Sequence, residues 1–121
     1  MVKLSSYRDL IAWQKAIHLA NVIYDVTDQF PKHELYGLAA QLRRAVVSIS
    51  SNLAEGSVRG SKEFAHFITI ARGSLAEIET QIIIAHHRKY LSTAELESIT
   101  QFTEELGRIL MGLRKSIKSS N

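Results

Sequence analysis

Apolar residues recur at intervals of three and four along most of this chain, and four stretches carry the pattern. The first covers residues 8–28. Leu10, Trp13, Ile17, Ala20 and Tyr24 line one face, and Ala12, Leu19, Ile23, Val26 and Phe30 form a second row about 120° round the helix. Ile11 and Val22 lie beyond both. A helix apolar over most of its circumference needs cover on more than one side. In a four-helix monomer each helix keeps an outer face, so the surplus predicts a subunit interface that includes Ile23 and Phe30. Phe30-Pro31 closes the stretch, because a residue before proline is pushed out of the α region.

The second stretch covers 34–55, with Leu35, Leu38, Leu42, Val46, Ile49 and Leu53 in one stripe. Gly56 sits where a left-handed C-terminal cap is expected. The third covers 61–90 and takes Ser61 as its N-cap. Phe64, Phe67, Ile68, Ala71, Leu75, Ile78 and Ile82 make its core row, and Ile70 and Ile84 point elsewhere, a second sign of burial outside the monomer. Ser92-Thr93-Ala94-Glu95 reads as a capping box that opens the fourth stretch, 93–118. There Leu96, Ile99, Phe102, Leu106, Ile109, Leu110, Leu113 and Ile117 form the apolar side. Long amphipathic helices with short connections pack antiparallel. The expected fold is all-α, an antiparallel up-and-down four-helix bundle forming one domain over 1–121.

Composition narrows the chemistry. The chain has 121 residues, enough for one real core, and a single proline. Without cysteine it cannot build a disulfide framework, a thiolate metal site or a cysteine nucleophile. No signal-like segment opens it and no apolar run is long enough for a membrane span, so a cytoplasmic location and no membrane partner are expected. The net charge of +3 is mild and gives nucleic-acid binding only slight support.

Candidate catalytic patterns dissolve on inspection. Glu63-Phe64-Ala65-His66 is an E-x-x-H, but di-iron bundles use two such motifs turned into the core, and here the motif occurs once with His66 facing outward. His86 and His87 are adjacent and diverge by about 100° round a helix. Gly56 to Lys62 lacks the Walker spacing and follows a helix where that motif needs a strand. No serine lies in a G-x-S-x-G setting. The expectation is therefore no catalytic residue, no metal and no cofactor.

One polar stripe resists so simple an account. Opposite the core row of the second helix lie Gln41, Arg44, Ser48, Asn52 and Glu55, and Gly73 and Ser74 interrupt the third. Ser48, Asn52, Gly73 and Ser74 among them are poor helix formers. Three readings stand side by side: a solvated face, close helix packing across a subunit boundary through Ser48, Asn52 and Gly73, or a ligand or nucleic-acid site. The last turns carry Arg108, Arg114, Lys115 and Lys118, which complement the helix dipole or contact phosphate.

Several blocks together resemble a known family. Asp9-Leu10-Ile11-Ala12-Trp13-Gln14-Lys15-Ala16, Phe30-Pro31, Glu34-Leu35-Tyr36-Gly37-Leu38, the run from Gln41 to Ile49, the run from Ser51 to Gly56, and the run from Ala71 to Thr80 occur in the order seen in the "four helix bundle protein" family. That family is named for proteins encoded within intervening sequences of bacterial 23S rRNA genes. The likeness covers roughly residues 7–115. Ser50 departs from it, standing where proline is common. The resemblance implies a four-helix bundle assembled as a homopentamer. It also extends to the accessory variability proteins of diversity-generating retroelements, which implies a reverse transcriptase or ribosome-associated partner and RNA or DNA as ligand. Carried onto this chain, the contacts fall to Arg43, Arg44, Arg59, Lys62 and Arg72 or to the basic C-terminal turns. A ring would repeat any basic patch, and affinity grows with the number of phosphates neutralised. The expected role is a non-catalytic, nucleic-acid-binding oligomer; the alternative is a protein-binding scaffold with no nucleic-acid contact.

Overall fold

The computed structural model describes residues 6–119, with side chains through 117. Four helices follow one another: α1, Ile11–Thr27; α2, Leu38–Ser57; α3, Ser61–His87; and α4, Thr93–Ser119. Short 3-10 turns at Tyr7–Asp9 and Lys32–Glu34 precede α1 and α2. No strand occurs among the described residues. Each helix packs on its chain neighbour, and α4 returns to α1. Cross-helix pairs fix every register as antiparallel. Arg43 meets Thr27 and Asp28, Ser48 meets Ser74, Arg114 meets Thr69, and Lys15 meets Glu105. The fold is an all-α, up-and-down four-helix bundle.

The core takes one row from each helix. From α1 come Ala12, Ala16, Leu19, Ile23 and Val26; from α2 Leu42, Val46, Ile49 and Leu53; from α3 Ile68, Ala71, Ile78 and Ile82; and from α4 Ile99, Leu106 and Leu110. This reverses the expectation for the first helix. Ile23 is 0% exposed, and Phe30 is buried with its ring 5.3 Å from that of Tyr90. Both belong to the monomer core and not to a subunit interface. The row read first, Trp13, Ile17 and Tyr24, is the one left at the edge: Trp13 and Ile17 are half-buried and Tyr24 is exposed. Two apolar rows of similar strength lie on α1, and periodicity alone does not say which one faces the other helices.

The ends of the helices show what the pattern missed. The capping box forms as expected: Ser92 N–H donates to Glu95 Oε1 at 2.8 Å, and Glu95 N–H donates to Ser92 Oγ at 3.1 Å. Gly56 is not a cap. It is buried inside α2, and an added Cβ would lie 2.6 Å from Phe67 Cβ, so its role is close approach. Gly60, at φ 98°, supplies the turn instead and precedes Ser61, which is the first helical residue and not the N-cap. α2 begins at Leu38, later than expected. Glu34 stays outside it and accepts the Leu38 N–H through Oε1 at 3.0 Å, which leaves Leu35 exposed. α3 ends at His87 because Lys89 turns left-handed at φ 66° and Tyr90 N–H closes on Ala85 O at 2.9 Å.

Candidate functional site

The cations singled out in the sequence divide by what holds them. Arg43 is a structural pin. Its Nε donates to Thr27 Oγ1 at 2.9 Å, its Nη2 pairs with Asp28 at 2.8 Å, and its guanidinium lies over Tyr24, 5.0 Å from the ring centroid. Arg59 pairs with Glu55 at 2.8 Å and Glu63 at 3.4 Å and covers Phe67. Arg114 donates to Thr69 Oγ1 at 2.9 Å and to Ala65 O at 3.4 Å, joining α4 to α3. Arg44 and Lys62 are exposed at separate places on α2 and α3. The side chain of Lys118 lies outside the described residues.

Arg72, Arg108 and Lys115 are brought together. With Glu79 and Glu104 they line an open groove of about 780 Å³ between α3 and α4. The local sequence explains the opening. Where the two helices would interdigitate, α3 offers Ala76 and α4 offers Gly107, while Leu75 and Thr103 form the floor. Thr103 is fully buried and donates its hydroxyl to Thr100 O at 3.0 Å. An added Cβ at Gly107 would meet only Leu75 Cδ2, at 3.6 Å, and at Gly112 would meet nothing within 4 Å. Neither glycine is demanded by packing within the chain, although glycine inside a helix costs about 0.5–1 kcal/mol relative to alanine.

The expected interface residues separate in the same way. Ser48 and Asn52 turn into the α2–α3 contact: Ser48 Oγ and Ser74 Oγ share a hydrogen bond of 2.9 Å, and Asn52 Nδ2 donates to Ser48 O at 2.7 Å and Ser48 Oγ at 2.9 Å. Ser48 and Asn52 thus pack against α3 of the same chain and not across a subunit boundary, while Gln41, Arg44 and Glu55 of that stripe are exposed. Ile70, Gly73 and Ile84 lie on the outer face of α3, exposed to solvent. A second uncovered apolar strip, which pattern reading did not single out as surface, lies along α1 and α2 through Trp13, Ile17, Tyr24 and Val47, with Val58 at its end. In the sequence Trp13, Ile17 and Tyr24 read as one apolar face of α1.

Among titratable groups Glu34 is held below the ordinary carboxylate value. The Leu38 N–H comes first among the causes, then the Tyr90 hydroxyl at 2.8 Å, with smaller help from His33 and Arg88 against some desolvation. Glu105 is lowered by its hydrogen bond to Lys15 and the charge of that ammonium. Glu63 and His66 face solvent, with Glu63 turned to Arg59. Among the described residues no three His, Asp or Glu side chains gather to hold a metal ion, and no helix is long and apolar enough to cross a membrane.

Comparison with known proteins bears on the fold and the family. A family model described as "23S rRNA-intervening sequence protein" matches residues 8–112. A solved structure from Bacteroides thetaiotaomicron, described as a protein with unknown function from the S23 ribosomal protein family, superposes with a TM-score of 0.80. It is 20% identical, over 87% of this chain and 96% of that one, and shares its fold. No curated protein matches the chain.

Proposed function

Since the chain belongs to the 23S rRNA-intervening sequence protein family, we propose that it is a non-catalytic, ring-forming homo-oligomer, a pentamer, that binds single-stranded nucleic acid, RNA in the first place. The observation that carries the binding half is the convergence of Arg72, Arg108 and Lys115 on one open groove. Arg43, Arg59 and Arg114 are engaged in local bonds and do not line that groove. Phosphate neutralisation by one copy is weak, and repetition round a ring strengthens it.

Two unlike apolar surfaces support the oligomeric half. A cyclic ring joins different patches head to tail. The strip of Tyr24, Val47 and their half-buried neighbours belongs to α1 and α2, while Ile70 and Ile84, 40% and 45% exposed, belong to the outer face of α3. The same surfaces favour the second reading, a scaffold that holds a different protein, such as a reverse transcriptase or a ribosome-associated protein.

A fluorescence-anisotropy titration with labelled single-stranded RNA separates the readings. Binding at low salt is expected to weaken steeply as salt rises. It is expected to be lost in the double variant Arg72→Glu, Arg108→Glu and kept in Arg59→Glu. No binding to RNA or DNA at low salt would leave only the scaffold. Native mass measurement after nuclease treatment tests the ring, and a single-copy species at micromolar concentration would remove it.

A further inference from the structure

The α3–α4 groove sets carboxylates among its cations. Two contacts fix the register of these helices: Gly107 against Leu75, and Arg114 against Thr69 and Ala65. That register brings Glu79 level with Thr103 and Glu104, and Arg72 level with Leu110 and Met111. Arg108 follows Glu104 by one turn of α4, so a cation and a carboxylate stand about 6 Å apart along the axis. Glu104 and Arg108 have the spacing of a helix salt bridge. Yet among the described residues neither they nor Arg72 and Glu79 form an ion pair. Glu104, Arg72 and Arg108 are exposed and Glu79 is half-buried, so all four groups are open to a ligand in the groove.

A carboxylate beside a phosphate site repels any polyanion. It suits such a site only where the ligand offers it a hydrogen-bond donor in return. Along a nucleic-acid backbone the ribose 2′-hydroxyl is that donor, because phosphate and ring oxygens only accept. It lies beside the 3′ phosphate of its own nucleotide, so donor and anion recur together once per residue of an RNA strand. The groove has no aromatic side chain on which a base would stack, and the hydroxyl of Thr103 on its floor is taken by Thr100 O. We propose that Glu79 and Glu104 make this groove selective for RNA over DNA, by accepting 2′-hydroxyls of a strand whose phosphates lie on Arg72, Arg108 and Lys115. RNA and DNA meet the same repulsion, and only RNA recovers part of it through hydrogen bonds to the carboxylates. The two glutamates thus lower affinity for every strand, and lower it most for DNA. This assignment rests on the nucleic-acid reading of the same groove and names the sugar it recognises.

The test titrates the full-length protein with labelled uracil heptamers that differ only in their sugar: ribose, 2′-deoxyribose or 2′-fluororibose. The fluoro sugar keeps the pucker of ribose and lacks the donor. The ribose strand is expected to bind roughly tenfold more tightly than either of the others. The double variant Glu79→Ala, Glu104→Ala is expected to keep its circular dichroism, to bind all three strands more tightly, and to bind them alike. Loss of charge alone would strengthen the three equally and leave their ratio unchanged, so the ratio isolates the hydroxyl contact. No binding of any heptamer at low salt overturns the nucleic-acid reading and this assignment with it. Equal affinity of the parent for ribose and deoxyribose overturns the selectivity and leaves nucleic-acid binding standing. A fluoro strand bound as tightly as the ribose strand shows that sugar shape is read and removes the hydroxyl contact. A preference for ribose that survives in the alanine variant removes the carboxylates as its cause.

Discussion

α3 presents two seams, one to α2 and one to α4, and they are built on opposite terms. Against α2 its contacts are small and close. Ser74 meets Ser48, Gln81 Nε2 reaches Gln41 Oε1 at 3.3 Å, and the flank of Phe67 lies where a Cβ on Gly56 would sit. Against α4 the small residues Ala76 and Gly107 face a groove, and the space they leave is not filled by the chain. Small residues thus do different work on one helix. On one side they let helices touch, and on the other they keep them apart from a surface that stays open.

The comparison can be broken most forcefully at its glycines. Gly56→Ala forces its new methyl group against Phe67, and overpacking of this kind costs about 1–3 kcal/mol. The expected result is a lower midpoint in urea with helical content retained. A midpoint equal to the parent's would mean the seam is looser than its geometry. Next in size, Ser48→Ala strips partners from Ser74 and Asn52, for about 1 kcal/mol of destabilisation. The double variant Ser48→Ala, Ser74→Ala should recover part of that loss, because fewer polar atoms are left without partners. A double-variant cost equal to the sum of the single ones would show that the hydroxyl pair contributes nothing as a pair.

The α4 seam predicts the opposite sign. Gly107→Ala adds a methyl group at ordinary contact distance from Leu75, so the protein should gain about 0.5–1 kcal/mol. If function requires the groove open, the same variant should bind RNA less well while melting higher. Destabilisation here would erase the contrast between the seams.

The smallest expected effect lies at the corner that joins both ends of the bundle, where Glu34 caps α2 and accepts the Tyr90 hydroxyl that follows α3. A carboxyl held below its ordinary value of 4.5 contributes stability that is complete above that value. This contribution is lost as pH falls through the lowered value. Thermal midpoints should therefore drop on acidification below about 4.5 more in the parent than in Glu34→Gln. Equal pH profiles would show the corner to be indifferent to that charge.

Much of the fold was legible because periodicity is local. The stripes of α2, α3 and α4, the capping box at Ser92 and the break after Phe30 follow from residue spacing and backbone chemistry. The ends less tied to spacing were not legible. Lys89 adopts a left-handed turn that glycine usually marks, and Glu34 caps α2 from four residues upstream. The site was half legible. Arg72, Arg108 and Lys115 were singled out as cations, but nothing in their spacing joined them to one another or to Glu79 and Glu104 across the groove.

By itself, then, the order of residues determined four amphipathic helices, their antiparallel succession and membership of a family. Tertiary structure alone decided which of two apolar rows on α1 enters the core, because that depends on how closely neighbours of a given size can approach. It also decided which cations are bound into the bundle and which meet at a groove. Such pairings join residues dozens of positions apart, and the register of two helices, which no local pattern encodes, sets them.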